Sequence, residues 1–245
     1  ENSKVCTNTV ADSIERYAED TGVELAYAND NLDYGLPNGI APEVSAMQEA
    51  GVEFISTCID LNGMKTLAQE LERQGMSDVV MYHPNTYNQQ FVAEAGGLFE
   101  GDFVSVGFRP FEAGTEGTAL ADFLEWMDRQ GSEPTELAMV GWINATLAFE
   151  GLLAAGPDYD RESVAAATNG LTEFTAGGLL EPIDWSEAHT PYTQDTRGED
   201  RTDECSILLR VEDGEFATVG PPDAPWLCWD QEDISWSEPE STSFG

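Results

Sequence analysis

Apolar side chains fall three and four apart along residues 8–21, at Val10, Ile14, Tyr17 and Ala18, with Gly22 next in the chain. This spacing predicts a helix with a glycine stop. Residues 23–28 then read as a strand. Residues 41–50 form a short helical pattern with Val44 and Met47 on one face and Gly51 behind it, and residues 52–59 are rich in β-branched side chains. A helix is predicted over 62–74, with Met64, Leu67, Ala68 and Leu71 as its stripe, Asn62 as N-cap and Gly75 as stop. Strand 78–82, helix 87–95 and strand 103–108 continue the series. Strands alternating with helices at this spacing predict βαβ units, hence a mostly parallel sheet covered on both faces. The helix near Asn8 calls for a strand of its own, but only residues 1–5 precede it. The chain is therefore expected to open at the tail of a strand and to be the C-terminal part of a longer protein.

Beyond Pro110 the pattern changes. Two long helical stretches, 118–130 and 134–155, follow one another without a strand, and the second is apolar and rich in small residues, so it is expected to be buried. A shorter helix is predicted over 161–169 with Asp160 as N-cap. From Gly177 the chain reads as loop and strand, with strand character over 179–185, ending in a hairpin of residues 206–211 and 216–219. The Asp213-Gly214 pair is a strong two-residue turn signal. Residues 230–245 are polar and expected to be loose.

Composition alters the picture chiefly through charge. Ten Lys and Arg stand against 47 Asp and Glu, a formal charge of −37, and Lys4 and Lys65 are the only lysines. Such a surface repels nucleic acid and anionic lipid. It is of the kind that stays hydrated in high salt; attraction of cations or basic ligands is the competing reading. No run of about eighteen apolar residues stands out, so no membrane-inserted segment is expected. The opening residues lack a basic n-region and an apolar h-region, so no signal peptide is read there. The apolar share of 41% suffices for a core. Cys6, Cys58, Cys205 and Cys228 lie in no metal-ligand spacing. Their even number fits two disulfides in an exported protein, with three pairings open, against free buried cysteines.

The serine-hydrolase elbow, the HExxH zinc motif, the P-loop and the dinucleotide fingerprint are all absent, so no catalytic residue, metal or cofactor is assigned. The cluster of Asp195, Glu199, Asp200, Asp203 and Glu204 lacks EF-hand spacing and is interrupted by Arg197 and Arg201, so a solvated loop is expected. Position is more informative, because ligands of open parallel sheets meet the loops at the carboxyl ends of strands. These loops hold Asp60, Leu61 and Asn62 after one strand and His83, Pro84 and Asn85 after the next. Asp60 is read either as an acceptor for a ligand ammonium or amide, or as a carboxylate at a helix N-terminus. His83 is read as a donor to a ligand carboxylate or as a strand-end histidine. Trp142 and Trp185 are candidates for stacking on a ligand or for the core.

The run 51–64, GVEFISTCIDLNGM, with LERQG at 71–75, resembles the branched-chain amino-acid-binding family of ABC importer components, proteins of the periplasmic-binding-protein type I fold. EAGGLFEGDFV at 94–104, RPFE at 109–112, GWINATL at 141–147 and TAGGLLEPIDW at 175–185 follow in the same order, so the likeness covers residues 8–219. The resemblance implies two α/β lobes joined by three crossing strands and closing on ligand like a clamp. Residues 1–107 would form most of the C-terminal lobe, 108–178 helices packing on the N-terminal lobe, and 179–229 a return to the C-terminal lobe with the hairpin, before the 230–245 tail. The N-terminal lobe's own sheet would lie outside this sequence. Carried over by position, ligand-facing residues fall on Asp60, on Pro84 or Asn85, and on Leu137. The acidic residue common in the Pro84–Asn85 loop of the family is absent, and Asp60, where the family often has an aromatic, would supply that charge. The implied topology sets the first strand beside the one ending at Cys58, which implies a Cys6–Cys58 bridge, and Cys205–Cys228 would staple the hairpin to its tail.

The expected function is capture of a small polar ligand, an amino acid first and an amide or urea-like molecule second, for a membrane permease. The expected place is the periplasm or cell exterior, with any lipid anchor upstream of residue 1. A ligand-sensing regulator of the same fold and an enzyme on a flavodoxin-like sheet are the rival readings. An upstream export signal or lipobox would argue against the first, and turnover surviving mutation of Asp60 would support the second. The charge balance makes its own prediction: the chain unfolds in low salt and refolds in molar KCl, as read by circular dichroism. Indifference to salt would remove the high-salt account.

Overall fold

In the computed structural model, which describes residues 2–33, 35–84, 86–188 and 203–230, the first helix runs over Asn2–Thr21 as α1. Residues 2–5 extend this helix, where the tail of a strand was expected. The chain divides into two units. One comprises Glu1–Val106 and Leu208–Val219, the other Gly107–Ile207 and Gly220–Gly245.

In the first unit, α2 (Ala41–Ala50), β1 (Phe54–Ser56), α3 (Leu61–Arg73), β2 (Val80–Tyr82), α4 (Gln89–Ala95), a 3-10 turn (Gly96–Phe99) and β3 (Phe103–Val106) follow α1. β1 and β2 pair in parallel, Phe54 with Val80 through Ser56 with Tyr82, and β3 pairs in parallel with β2. β4 (Asp203–Glu212) borders β3 and forms an antiparallel hairpin with β5 (Glu215–Thr218). Asp213 and Gly214 both have positive φ, 55° and 78°, the geometry the Asp-Gly signal calls for. Ile55, Met81, Val104 and Val106 bury one face of the sheet, and the α3 stripe of Met64, Leu67, Ala68 and Leu71 is also buried. Each of these side chains except that of Ala68 contributes roughly 1.5–3 kcal/mol by leaving water.

The opposite face is less covered than the βαβ pattern implies: Phe54 is 53% exposed. Residues 23–28 keep a strand's alternation, with Leu25 and Tyr27 half-buried between exposed neighbours, but they belong to no ladder. A cavity of about 550 Å³, lined by Val10, Ile14, Leu25, Tyr27, Ile55 and Leu67, separates them from β1. It occupies the side of β1 where the resemblance implied a first strand. Among the described residues no backbone hydrogen bond joins 23–28 to β1, and the strand expected over 23–28 does not form.

The second unit holds α5 (Leu120–Gln130), α6 (Glu136–Ala155), α7 (Arg161–Thr168), the short α8 (Trp185–Ala188) and β6 (Leu227–Asp230), which pairs antiparallel with the first residues of β4. The strand character expected over 179–185 reduces to a single bridge between Phe174 and Ile183. Asp160 caps α7 in a reciprocal capping box with Ser163. An aromatic series of Phe108, Phe111, Phe123 and Trp142, with successive centroids 5.7–6.0 Å apart, links α5 to α6. α6 departs from expectation. Met139, Ile143 and Gly151 are buried, but Leu137, Phe149 and Leu153 are 83%, 60% and 65% exposed. A helix apolar all round needs partners on every side, and α7, which packs closely at Gly151, covers only one. α6 is also long and apolar enough, by length and composition, to cross a membrane, contrary to the reading that no such segment exists. In the acidic cluster, Asp195, Glu199 and Asp200 lie outside the described residues, as does the 231–245 part of the tail, while Asp203 and Glu204 open β4.

Both bridges implied by the resemblance are present. Cys6–Cys58 has a Cα separation of 6.2 Å and Cys205–Cys228 one of 4.0 Å, and each lies within one unit. Their sequence separations are 52 and 23 residues. Loop-closure entropy then assigns them about 4 and about 3 kcal/mol.

Beneath the end of β2 lies a buried ionisable pair. His83 Nδ1 meets Thr86 Oγ1, whose hydroxyl is 3.2 Å from His83 O, and His83 Nε2 stands 3.4 Å from Asp102 Oδ2. Asp102 Oδ1 accepts from the Met81 N–H at 2.8 Å. His83 and Asp102 are 1% and 3% exposed. Burial pushes the Asp102 carboxyl up, against the bonds from His83 and Met81 that lower it.

Two measurements test this unit-level account. Because the Asp102 pKa is raised in the folded state, its proton stabilises the fold below the unfolded value, and that contribution is lost as pH rises through the folded value. Asp102→Asn keeps the acceptor for Met81 and does not titrate. Its stability relative to wild type, from urea unfolding, is expected to climb with pH through the acid range and then level off; a flat difference would contradict the raised pKa. Cys205→Ser with Cys228→Ser is expected to lower unfolding free energy by about 3 kcal/mol, and an unchanged midpoint would show that the bridge adds no constraint.

Candidate functional site

Parallel pairing of β1 with β2 makes both strands release their chains at the same end of the sheet. Thr57 N–H donates to Tyr82 O at 3.3 Å and His83 N–H to Phe103 O at 3.0 Å, so the two loops start side by side. The first loop delivers Asp60, in extended conformation (φ −78°, ψ 173°), to the start of α3. Its Oδ1 accepts from Gly63 N–H at 3.1 Å. A Cβ on Gly63 would stand 3.0 Å from that oxygen, so the close approach relies on glycine. The N-cap is therefore Asp60, not Asn62. Leu61 is half-buried and Asn62 exposed. Both Asp60 carboxylate oxygens also lie within 3.9 Å of the Cβ position at Gly35, in the loop before α2.

The second loop is pinned at both ends. His83 and Thr86 are buried and bonded to each other, and Asn88 Oδ1 caps α4 by accepting from Phe91 N–H at 2.8 Å. His83 thus faces the interior toward Asp102 and Phe99, whose ring centroid is 5.7 Å away. Pro84 is half-buried at the loop's turn, and Asn85 lies outside the described residues. Asp60, Leu61, Asn62, His83 and Pro84 accordingly gather at one end of one sheet. Leu137 and Trp142 belong to α6 of the other unit. Leu137 is exposed in the first turn, and Trp142 is half-buried edge-to-face on Phe123.

Sequence reasoning missed a polar pair at this end. Tyr82 OH and Ser105 Oγ are 2.6 Å apart across β2 and β3, and Ser56 sits in register beside Tyr82. Strand alternation carried the signal, because these side chains fall opposite the buried Ile55, Met81 and Val104. Among the described residues, no three His, Cys, Asp or Glu side chains gather in metal-ligating positions. One anchored carboxylate with hydroxyls nearby offers hydrogen bonds and charge to a small polar molecule.

The sequence profile described as periplasmic binding protein matches residues 3–214. No curated protein matches the chain. Among solved structures, the chain is similar to a branched-chain amino acid ABC transporter protein from Thermus thermophilus with bound valine: TM-score 0.59, 20% identity, covering 87% of this chain and 56% of that one. It is similar to a leucine-, isoleucine-, valine-, threonine- and alanine-binding protein from Brucella ovis in closed conformation: TM-score 0.61, 16% identity, 91% and 55% covered. A solute-binding protein of an ABC transporter from R. palustris, in complex with benzoate, aligns with TM-score 0.55 and 15% identity over 74% and 46%. The chain thus spans about half the length of the solved relatives it matches. At these identities the structural likeness establishes the fold, and the profile match over residues 3–214 establishes that the chain belongs to the periplasmic binding protein family.

Proposed function

We propose that this chain is part of the extracytoplasmic solute-binding component of an ABC importer, which takes a small polar ligand, an amino acid first, by closure of two lobes and presents it to a membrane permease. The observation that carries this reading is the meeting of the Asp60 loop and the His83–Asn88 loop at the carboxyl ends of adjacent parallel strands. Family membership and relatives described as binding valine or several small amino acids support it. Two disulfides suit an oxidising compartment.

In this reading Asp60 receives the ligand's ammonium. One oxygen is held by the cap, so the carboxylate is oriented before ligand arrives. By resemblance the family's ligand-facing positions also fall on Pro84 or Asn85 and on Leu137, and His83 acts from below by holding the second loop through Thr86. The exposed apolar side chains of α6 pack against the N-terminal lobe, as the segment 108–178 does by resemblance. That packing accounts for an apolar helix without a bilayer.

Thermal-shift screening of the full chain against amino acids, short amides, urea analogues and benzoate tests the ligand class. Ligand at a hundred times Kd adds about 2.7 kcal/mol to the folded state, an easily read shift. Absence of a shift with every amino acid would sink that assignment. Asp60→Asn separates the charge from the cap, since Asn caps nearly as well as Asp. Its expected effect is an unchanged unliganded Tm with affinity lowered about 10- to 100-fold, the loss of one charged hydrogen bond. Full affinity in Asp60→Asn would remove Asp60 from the site.

A further inference from the structure

The turn after β2 is closed by a hydroxyl that has one hydrogen to give. Thr86 Oγ1 donates to His83 O at 3.2 Å, and a carbonyl oxygen can only accept. The bond between Thr86 Oγ1 and His83 Nδ1 is therefore donated by the ring. With its hydrogen on Nδ1, a neutral imidazole has only a lone pair at Nε2. That nitrogen faces Asp102 Oδ2 at 3.4 Å, and an ionised carboxylate has no hydrogen to offer. One further proton must lie between them, on the acid or on the ring. His83 and Asp102 thus hold one proton more than a neutral histidine beside a carboxylate.

Removing that proton changes the bonds on the far side of the ring. The remaining ring hydrogen is drawn to Nε2, because two lone pairs would otherwise face each other in a buried site. Nδ1 then becomes an acceptor, and the Thr86 hydroxyl is the donor beside it. The hydroxyl turns away from His83 O, and the turn loses the bond that closes it. Thr86 O in turn accepts from the N–H of Asn88, the N-cap of α4, at 2.7 Å. The proton shared with Asp102 is thereby connected to the loop beside Asp60.

Among the described residues, His83 is the one charged partner that acts on Asp102. On the elements packed around the pair, Lys65 and Glu72 on α3, Glu94 on α4, Arg210 and Glu212 on β4 and Glu215 on β5 are exposed, as is Glu100. Half-buried Glu70 is engaged by Arg73. The Tyr82 hydroxyl bonds Ser105, and the Tyr87 ring packs on Phe216 at 5.3 Å.

We propose that His83 and Asp102 are positioning residues that make ligand capture proton-linked: their shared proton sets the tautomer that keeps the Thr86 turn closed, and its loss as pH rises loosens the loop. This rests on the reading of the Asp60 and His83–Asn88 loops as the ligand site and adds its regulation. Affinity is then highest where the proton is bound, and by linkage ligand binding takes up a proton near the midpoint.

The test uses the full chain with isotope-labelled histidine and His189→Gln, which leaves His83 as the single imidazole. Ring nitrogen resonances report which nitrogen carries hydrogen between about pH 5 and 8. L-valine is the binding probe. The ring is expected to carry hydrogen on Nδ1 at low pH and on Nε2 alone at high pH. L-valine affinity is expected to fall about 2- to 10-fold across the same step, the loss of one neutral hydrogen bond. Asp102→Asn presents a fixed donor to Nε2 while its oxygen still accepts from Met81, so hydrogen stays on Nδ1 and affinity stays high at every pH. Thr86→Val is expected to abolish the affinity step and Thr86→Ser to restore it. A pair that only supported the fold would lower Tm in these variants and leave the step in place. A single ring form across the range, or a step that survives Asp102→Asn, overturns the proposal. If Asp102→Asn does not fold, the two Thr86 variants decide by the same step. If L-valine does not bind, exchange of the Asn88 amide, corrected for its intrinsic pH dependence, replaces affinity as the readout. Faster exchange together with the tautomer change supports the device and removes only the amino-acid reading. L-valine bound equally at every pH leaves the binding reading and removes this one.

Discussion

Asp102 stands where three strands of the first unit meet, and its bonds hold them in their relative positions. Its N–H donates to Phe99 O, its Oδ1 accepts from Met81 on β2, and its carbonyl accepts from Val211 on β4, while Oδ2 faces His83. Val211 O in turn accepts from Gly101 N–H, so the entry to β3 is bonded to β4 on both sides of Asp102. A buried carboxylate without partners would be costly, and here every acceptor is engaged. The consequence reaches the surface. With β2 and β3 held in parallel register, His83 is drawn inward, and the loop that follows is anchored by Thr86 and Asn88 beside the Asp60 loop.

The rare basic residues are used with corresponding economy. Arg73 pairs with Glu70 and Arg129 with Glu125 on exposed helix surfaces, where ion pairs contribute little. Arg210 lies over the ring of Phe103 at 5.8 Å. Arg109 donates to the backbone carbonyls of Gly114, Gly178 and Asp223. None of these offsets a formal charge of −37, so cohesion falls to the apolar core and to two disulfides that each cross-link one unit internally.

The candidate ligand residues of the first unit follow strand ends, on backbone committed to ladders and caps, which fixes their placement.

Locally written features were legible in the sequence. α2 begins and ends where its apolar period and Gly51 put it, Asp160 caps α7, and Asp213-Gly214 turns the β4–β5 hairpin, because these depend on dihedral preferences within a few residues. The ordered likeness to a known family also carried both disulfide pairings, which cysteine spacing alone left open. Even the capping error was local: Asp60 and Asn62 are both good caps two residues apart, and the glycine at 63 decides between them. Tertiary structure decided the rest. Whether residues 23–28 join a ladder, whether α6 is covered, whether His83 faces ligand or Asp102, and what Arg109 holds all depend on groups tens of residues away in sequence. Burial and hydrogen-bond partnership are properties of the surroundings a residue is brought into, and no local pattern of hydrophobic and polar positions records them.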